Sequence, residues 1–304
     1  MRIAHLSDLH LLSLEGLSAR RLLSKRFTGW LNIRLRRGSI HRAEYVRAIA
    51  REIARLDIDH VVVTGDLTNL ALESEYELVR ELFEGELGLD PSRVTVAPGN
   101  HDLYTRGAMT SRRFGRYLGP WMESDLPELA VDASAGRFPV VKLRGSVAIV
   151  ALSSAVPRLP LVAAGELGEA QRRALGRVLA HPDVASRTLV LAVHHPVVHG
   201  WSRLKTHLEG LRDTEALLAE LRPISRGLVL HGHLHRRIQR VVPTEAGHLL
   251  QIGATSASLH HEETDRMAGF NLYEVDGDAS TRVEAWVYSA ESRDFRLESV
   301  PKHV

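Results

Sequence analysis

The stretch from residue 60 to residue 69 reads HVVVTGDLTN and joins an apolar run to a polar turn. Its first part, His60–Thr64, has the length and the β-branched side chains of a buried strand. Gly65 then permits a sharp turn, which leaves the carboxylate of Asp66 free at the end of the strand. A carboxylate at the end of one strand does not by itself indicate a functional site, but the same arrangement at several strand ends does.

Four further groups of oxygen and imidazole side chains follow strand-like runs elsewhere in the chain. In chain order, the five groups are Asp8-Leu9-His10, Gly65-Asp66, Gly99-Asn100-His101-Asp102, His194-His195-Pro196 and Gly232-His233-Leu234-His235. Each group is short enough to arise by chance, but the ordered set indicates one place where strand ends converge. Residues two apart on an extended backbone point the same way, so we expect Asp8 and His10 to face this place together.

The side chains of these groups form a ligand set for metal ions. The seven candidate ligands are Asp8, His10, Asp66, Asn100, His194, His233 and His235. Carboxylate, amide and imidazole donors without a thiolate suit a pair of Mn, Fe, Zn or Co ions. With Asp66 bridging the two ions, the set leaves coordination positions for water and substrate, as the hydrolysis of a phosphoester requires.

The composition predicts a globular protein with a sizeable core. The chain has 304 residues, of which 44% are hydrophobic and 25% are charged, and it contains no cysteine. Disulfides and thiolate metal sites are therefore excluded. A formal net charge of +2 gives no specific nucleic-acid signal. A strand begins at Arg2, and no apolar run approaches the length of a transmembrane helix, so we expect a cytoplasmic protein without a signal peptide.

The order of the predicted elements favours an α/β fold. Strands and helices first alternate, with strands at Arg2–Leu6, His60–Thr64, Arg93–Ala97, Val147–Leu152, Thr188–Val193 and Gly227–Leu230 and helices at His41–Leu56, Glu73–Leu87 and Glu166–Leu179. Strands alone follow, at Arg237–Val242, His248–Ile252, Phe270–Val275, Arg282–Tyr288 and Phe295–Val300. We therefore expect a single domain over 1–304, an α/β sandwich in which a mainly β segment, 236–304, completes the second sheet.

The five groups together resemble the pattern of the calcineurin-like metallophosphoesterase superfamily, which is D-x-H, G-D, G-N-H-[DE], H and G-H-x-H. Every block is present, and the resemblance covers roughly the first three quarters of the chain. It implies a four-layer α/β/β/α sandwich around a dinuclear metal centre. By that likeness one metal is held by Asp8, His10, Asp66 and His235, and the other by Asp66, Asn100, His194 and His233.

The resemblance also implies the catalytic roles. His101 sits over the leaving group, where its protonated ring stabilises or protonates the leaving oxygen, and Asp102 is hydrogen-bonded behind it. A hydroxide that bridges the metals attacks phosphorus in line, while the cations neutralise charge on the phosphoryl oxygens. His195 and Asn69 are candidate substrate contacts, although a supporting position beside its neighbouring ligand is the stronger interpretation for His195.

The residues after Asp66 favour one branch of the superfamily. Protein Ser/Thr phosphatases continue with Tyr or Phe and then Val-Asp-Arg-Gly, and purple acid phosphatases place a Tyr where this chain has Asn69. The size of the chain and its Gly-Asp-Leu-Thr, Gly-Asn-His-Asp and His-His-Pro runs are most similar to bacterial class III cyclic-nucleotide phosphodiesterases. That resemblance implies a small phosphodiester substrate, a 3',5'-cyclic nucleotide.

A basic amphipathic insertion at 11–42 leaves other functions open. Between Ser18 and Arg42 the chain has eight Arg or Lys residues and no Asp or Glu, interleaved with leucines, Phe27 and Trp30. Three interpretations remain: a contact with an anionic membrane through 18–42, a cap that guides anionic substrates, or a helix packed on the core. The membrane contact implies a peripheral hydrolase at the inner membrane face that acts on a lipid-linked pyrophosphate or phosphodiester such as UDP-diacylglucosamine. A non-catalytic scaffold is the other alternative, and the complete ligand set argues against it.

Overall fold

The computed structural model describes residues 1–18, 41–275 and 281–303. In these residues the chain forms two six-stranded sheets and a two-stranded hairpin. The hairpin consists of β4 (Val131–Ala133) and β5 (Gly136–Phe138). The two larger sheets carry the five groups of candidate ligands.

The first sheet contains the N-terminal strand, β1 (Arg2–Leu6). Its other strands are β2 (His60–Val63), β3 (Val94–Val96), β12 (Gly269–Val275), β13 (Thr281–Ser289) and β14 (Asp294–Glu298), in the order β14-β13-β12-β1-β2-β3. The strands β1, β2 and β3 are parallel, while β12 pairs antiparallel with β1. Because the carboxyl ends of parallel strands meet at one edge, the loops that carry Asp8, Asp66 and Asn100 emerge side by side.

The second sheet supplies the remaining two groups. Its strands are β6 (Val140–Arg144), β7 (Val147–Ala151), β8 (Thr188–Ala192), β9 (Gly227–His231), β10 (Ile238–Pro243) and β11 (His248–Gly253), in the order β10-β11-β9-β8-β7-β6. The pairs β7–β8, β8–β9 and β9–β11 are parallel. His194 and His233 therefore leave the carboxyl ends of adjacent strands, β8 and β9.

Helices accompany both sheets. The described α-helices are α1 (Ala43–Arg55), α2 (Glu73–Leu82), α3 (Arg106–Thr110), α4 (Arg113–Leu118), α5 (Glu169–Ala180), α6 (Pro182–Ala185), α7 (Arg203–Glu209) and α8 (Thr214–Leu221). A π-helical segment, Phe83–Leu87, continues α2, and short 3-10 turns lie at Pro91–Arg93, Gly119–Met122 and Pro127–Leu129.

The layers follow from the alternation of buried side chains along the strands. On β7, Val147 and Ile149 belong to the apolar cluster that also contains the first sheet and the buried face of α1. The intervening Ala148 and Val150 belong to a second cluster, which includes apolar residues of α5 and α8. The second sheet is thus buried on both faces, between the first sheet and its own helices. The predicted four-layer α/β sandwich is confirmed.

The structure bears on two predicted segments, the mainly β segment 236–304 and the basic insertion 11–42. The segment 236–304 is divided between the sheets, because β10 and β11 join the second sheet whereas β12, β13 and β14 extend the first, next to β1. The expectation that it completes the second sheet is corrected, since a strand pattern does not specify the partner strand. Most of the basic insertion at 11–42 lies outside the described residues. Among the described residues, no helix has the length and apolar composition needed to cross a bilayer.

Candidate metal centre

The loop after β1 turns back through left-handed backbone conformations at two candidate ligands. Asp8 has a φ of 53° and His10 a φ of 46°. Their amides donate to the carbonyl oxygens of Gly65 (2.8 Å) and Asp66 (3.0 Å), which lie in the loop after β2. The predicted extended backbone at Asp8 and His10 is therefore wrong, and hydrogen bonds to the neighbouring loop, rather than strand alternation, set the direction of both side chains.

The same backbone conformation recurs at other candidate ligands. The candidate ligands with φ in the left-handed region are Asp8, His10, Asp66, His233 and His235. Asp and His tolerate this region better than most residues, but it still costs on the order of 1 kcal/mol per residue. Strain of this kind persists only where the surroundings fix the conformation, and it concentrates at functional sites.

Close approach between loops explains the glycines of two motifs. A Cβ atom on Gly65, whose φ is 88°, would lie 2.4 Å from the amide nitrogen of Gly99. A Cβ atom on Gly232 would lie 2.4 Å from Oδ2 of Asp8. Both distances are shorter than any allowed contact, so the loops after β1, β2, β3 and β9 can meet only because these residues lack a side chain.

The first cluster of ligand atoms contains Asp8, His10 and His235. The Nε2 atom of His235 lies 3.0 Å from Oδ1 of Asp8 and 3.1 Å from Nε2 of His10. The distance from Nε2 of His10 to Oδ1 of Asp8 is 3.9 Å. The buried Oδ1 atom of Asp8 has no hydrogen-bond partner among the described residues. Three donor atoms with lone pairs thus converge on one point.

The second cluster contains Asp66, Asn100 and His194. The Nε2 atom of His194 lies 3.5 Å from Oδ2 of Asp66 and 3.2 Å from Oδ1 of Asn100. Nδ1 of His194 donates to the carbonyl oxygen of Thr64 at 2.7 Å, which leaves Nε2 as the free donor atom for a metal. Ligand atoms of Asp8, Asp66 and His194 all lie within 4.8 Å of one another, so Asp66 stands between the two clusters.

His233 completes the second cluster. One ring nitrogen of His233 lies within 4.8 Å of ligand atoms of His194 and His195. Its backbone amide donates to Oδ2 of Asp8 at 3.0 Å, which ties the loop after β9 to the loop after β1. All seven candidate ligands are therefore brought to one edge of the two sheets, where the strand ends meet.

The spacing of the donor atoms fits metal ions. Two ligands that are each about 2.1 Å from one ion, at tetrahedral to right angles, are roughly 3.0–3.4 Å apart. The pairs His10–His235, Asp8–His235 and Asn100–His194 have separations of 3.1, 3.0 and 3.2 Å. Together with the unsatisfied Oδ1 of Asp8, this spacing fits two cations, one per cluster, with Asp66 between them.

The protonation of these groups agrees with that interpretation. Burial lowers the pKa of His233 to about 3, so its ring is neutral and able to bind a metal. Burial also opposes a charge on His194, but the carboxylates of Asp66 and Asp8 outweigh it and raise its pKa to about 9. Carboxylates that favour a proton on His194 equally favour a cation next to its Nε2 atom.

His101 lies beside the first cluster. Its ring centroid is 5.1 Å from that of His10, and its backbone amide donates to Oδ1 of Asp66 at 2.7 Å. Nδ1 of His101 lies 2.7 Å from the carbonyl oxygen of Asn69, which can accept the Nδ1 proton and fix the ring orientation. A leaving oxygen at the first cluster is therefore within reach of the other ring nitrogen, Nε2.

Asp102 has a different role from the one expected. Its Oδ1 accepts from the amide and hydroxyl of Thr68, at 3.0 and 3.1 Å, and its Oδ2 accepts from the amide of Gly99 at 2.9 Å. The carboxyl group is thus used to join the loops after β2 and β3, and the atom that orients His101 is the carbonyl oxygen of Asn69. Burial, together with the charge of Asp66, raises the pKa of Asp102 to about 7.

The structure gives both candidate substrate contacts a supporting position, which for His195 was already the stronger interpretation. His195 is fully buried, with Nδ1 2.8 Å from the hydroxyl of Ser154 and Nε2 2.8 Å from the carbonyl oxygen of Ala163. The side chain of Asn69 is buried and donates to the carbonyl oxygen of His10 at 2.6 Å. Both side chains hold the loops in place, and this use of their polar atoms argues against a direct substrate contact.

Sequence reasoning missed two rings near the centre. The ring of His41 lies 4.9 Å from that of His10 and 5.8 Å from that of His235, and Nδ1 of His41 is 2.7 Å from the hydroxyl of Ser258. Tyr104 stacks on His101 at 5.2 Å with an interplanar angle of 16°. Neither belongs to a motif, and the only signal for Tyr104 was its position three residues after His101.

Comparisons with known proteins agree with this geometry. The family model described as Calcineurin-like phosphoesterase matches residues 1–237. A comparison with curated protein sequences gives no match. Similar solved structures include a dimetal phosphatase from Danio rerio, with 17% identity, a TM-score of 0.56 and coverage of 93% of this chain and 98% of that one.

Two larger proteins share the fold over part of their length. Purple acid phosphatase PPD1 from yellow lupin has 13% identity and a TM-score of 0.56, with coverage of 98% of this chain and 52% of that one. The sulfate thiohydrolase SoxB from Thermus thermophilus has 16% identity and a TM-score of 0.54, with 97% and 58% covered. The chain therefore spans little more than half of these two proteins. Since the family model covers well over half of the chain and every block of the motif lies at one site, the chain belongs to the calcineurin-like phosphoesterase family.

Proposed function

We propose that the protein is a metal-dependent phosphodiesterase and that its substrates are 3',5'-cyclic nucleotides. The observation that carries the phosphodiesterase proposal is the convergence of two ligand clusters with Asp66 between them and His101 at the side. The fold is shared with a solved structure described as a dimetal phosphatase, which supports two metal ions here as well.

Two cations held by these clusters would acidify a bound water and neutralise charge on the phosphoryl oxygens of the substrate. In the overall reaction, the water oxygen forms a bond to phosphorus, one ester P–O bond breaks, and a proton of the water ends on the leaving oxygen. The hard oxygen and neutral imidazole donors suit Mn, Fe, Zn or Co.

Residues of the protein itself would hold the reacting groups in position and supply the proton for the leaving oxygen. The ionised carboxylate of Asp66 is favoured because His194 and His101 lower its pKa well below the usual value, against the effect of burial. The carbonyl oxygen of Asn69 orients the ring of His101 through Nδ1, so that Nε2 is available to donate a proton to the leaving oxygen. The amide of His101, in the loop after β3, donates to Oδ1 of Asp66, in the loop after β2. This hydrogen bond keeps the proposed acid, His101, at a fixed distance from the carboxylate of Asp66.

The assignment to cyclic nucleotides rests on the size of the chain and on its Gly-Asp-Leu-Thr, Gly-Asn-His-Asp and His-His-Pro runs, which are similar to those of class III phosphodiesterases. A second candidate, a peripheral hydrolase of lipid-linked pyrophosphates or phosphodiesters, is favoured by exposed leucines. Leu159, Leu161 and Leu204 are 76%, 91% and 71% exposed, and Ala163, in the loop after Leu161, donates to the carbonyl oxygen of Leu208. Leucines exposed in adjoining segments of the surface are typical of a surface that meets lipid or another apolar partner.

A substrate panel with added Mn tests both candidates. The panel compares bis-p-nitrophenyl phosphate, 3',5'-cyclic AMP and UDP-diacylglucosamine in detergent micelles, with the products identified by phosphorus NMR. We expect hydrolysis of bis-p-nitrophenyl phosphate and opening of cyclic AMP to a nucleoside monophosphate. Turnover of the lipid nucleotide alone would support the second candidate, and no turnover with any of Mn, Fe, Zn or Co would contradict the proposed enzyme.

A further inference from the structure

A cavity of about 600 Å³ adjoins the metal centre on the side of His101. It is lined by Tyr104, Arg106, Arg158, Leu159 and Arg212, among other residues. The ring of Tyr104 forms the connection, because it stacks on the ring of His101, which in turn lies 5.1 Å from the ring of His10. A group bound at the metal centre on the side of His101 would therefore extend towards this cavity. Its volume suits a nucleotide-sized ligand.

The charge of the cavity is strongly positive. Three guanidinium groups line it, and its lining contains no carboxylate. The nearest counter-charge is Glu166, whose Oε2 lies 2.7 Å from Nη2 of Arg158. The proximity of Arg158 contributes to a lowered pKa of Arg212, after the larger effect of burial. Arg106 and Arg212 are exposed and Arg158 is half-buried, so three arginines with one acidic partner leave a net positive charge of about two, which attracts an anion.

The arginines are held in place by backbone oxygens rather than by acids. Nε of Arg158 donates to the carbonyl oxygen of Ala164 at 3.2 Å, and Nε and Nη2 of Arg212 both donate to the carbonyl oxygen of His207, at 3.2 and 3.1 Å. A guanidinium has five N–H donors, and these contacts together with Glu166 use the Nε and Nη2 groups. Among the described residues, the Nη1 groups of both arginines remain for a ligand.

We propose that this cavity binds a phosphate carried by the leaving group of the substrate. The proposal rests on the phosphodiesterase activity proposed above and decides between its substrate classes. Guanidinium groups bind phosphate oxygens through pairs of charge-assisted hydrogen bonds, and several around one cavity are typical of phosphate recognition. Tyr104 and Leu159 add an aromatic and an apolar wall for the sugar or base attached to that phosphate.

The substrates that would use this cavity are diesters of diphosphate, in which the leaving group is itself a phosphate monoester, as in the lipid-linked pyrophosphates of the second candidate above. The oxygen of water would bond to the phosphorus at the metal centre, the P–O bond to the second phosphate would break, and the other proton of the water would pass to the leaving phosphate, so that the products are two phosphate monoesters. A 3',5'-cyclic nucleotide has a single phosphate, which would lie at the metal centre, so the cavity would favour diphosphate diesters without preventing cyclic nucleotides from binding.

The test compares a substrate with a phosphorylated leaving group and one without. The leaving group of P1,P2-diadenosine diphosphate is AMP, which carries a phosphate. The leaving group of bis-p-nitrophenyl phosphate is p-nitrophenolate, which carries none. The test variant carries both Arg106→Gln and Arg212→Gln. If this double variant does not fold, the single variant Arg106→Gln takes its place. The matched control is Arg177→Gln with Arg296→Gln, which removes the same charge from exposed positions on α5 and β14.

We expect the double variant Arg106→Gln/Arg212→Gln to raise KM for diadenosine diphosphate about tenfold or more, the change typical when a hydrogen bond to a charged group is removed. The value of kcat/KM for bis-p-nitrophenyl phosphate stays within about twofold, and the control pair changes neither. An equal loss on both substrates, or no loss on diadenosine diphosphate, would overturn the proposal.

A binding measurement separates this inference from the proposed function. Calorimetric titration of the Mn-loaded protein with AMP should show about tenfold weaker binding in the Arg106/Arg212 pair, while methyl phosphate, which reports the metal centre alone, binds unchanged. If the protein hydrolyses no phosphodiester but AMP binding depends on the arginines, the proposed function fails and the cavity assignment stands. If AMP binding is the same in both proteins, the cavity assignment fails whatever the activity.

Discussion

The Nε2 atoms of His10 and His235 lie 3.1 Å apart, although 225 residues separate them in the chain. At this distance one neutral ring can donate its Nε2 proton to the lone pair of the other, whereas a cation bound between them would take the place of that proton and be held by both lone pairs. We expect added Mn or Zn to raise the melting temperature of protein treated with a chelator. At a hundredfold excess over Kd, one site contributes about 2.7 kcal/mol to the free energy of unfolding. Differential scanning fluorimetry measures the shift, and the absence of any shift with Mn, Fe, Zn and Co would contradict the metal centre.

Asp66→Ala should abolish turnover and lower the metal content at both positions, because this carboxylate lies between the clusters. Metal analysis by mass spectrometry and a bis-p-nitrophenyl phosphate assay measure both effects. Asp57→Ala, at an exposed position before β2, is the control and should keep full activity. Two equivalents of metal and near-normal activity in Asp66→Ala would show that no bridging carboxylate is needed.

His101→Ala should keep its metals and lose kcat by about a hundredfold or more, as is typical when a general acid is removed. A substrate with a very good leaving group should lose much less, because such a group departs without a proton. The comparison of p-nitrophenyl and alkyl esters measures this difference. Equal losses on both esters would leave His101 without an acid role.

Glu75 gives the fold a predictable dependence on pH. Burial raises its pKa from the usual value of 4.5 to about 8, even though the amides of Leu70 and Leu72 donate to its Oε2. The folded protein therefore holds a proton that the unfolded chain releases above pH 4.5, so the free energy of unfolding falls as pH rises from about 4.5 to about 8. Glu75→Gln stays neutral and should raise the melting temperature more at pH 9 than at pH 5.

Glu77→Gln is the control for this prediction, because Glu77 is exposed on the same helix, α2. The melting temperature of both variants and of the parent is measured by circular dichroism at pH 5, 7 and 9. The same difference between Glu75→Gln and the parent at all three values would show that Glu75 is ionised in the folded protein throughout.

The basic insertion offers a prediction that separates its three interpretations. Arg34, Arg36 and Arg37 lie outside the described residues, and each basic residue near an anionic membrane contributes about 1 kcal/mol to binding. If the insertion is a membrane contact, neutralising the three arginines weakens flotation with anionic vesicles and the loss is largest at low salt. If it is a cap, KM for soluble anionic substrates rises instead. If it is a packed helix, both assays stay flat, and Phe27→Ala or Trp30→Ala lowers the melting temperature.

The strands that carry the site could be predicted from sequence because each is a continuous apolar run. The run His60–Thr64, for example, contains β2 (His60–Val63) and ends one residue beyond it. The candidate ligands could be predicted because they directly follow such runs. The strands β4, β5 and β6 and the helices α3, α4, α6, α7 and α8 were not predicted. Each of these strands contains a charged residue that interrupts the apolar run, and the helices have only four to eight residues, too few to show a helical period.

What could not be predicted depends on contacts between distant loops. The left-handed turns at Asp8 and His10 exist because their amides bond the loop after β2, and no local pattern encodes that pairing. For the same reason the orienting role expected of Asp102 falls to the backbone of Asn69: the carboxylate that follows His101 in sequence is taken up by Thr68 and Gly99, and a backbone carbonyl from another loop faces the ring. Tyr104 and His41 are near the centre only through the folded arrangement of loops.

The left-handed backbone at five candidate ligands also has an evolutionary consequence. A side chain kept in that conformation lowers the stability of the fold by about 1 kcal/mol, and glycine would remove the steric part of this cost. A lineage that no longer bound metal would gain stability by drifting to Gly or Asn at residues 8, 10, 66, 233 and 235. This chain retains Asp or His at every one of them, as selection for coordination, and not for folding alone, would require.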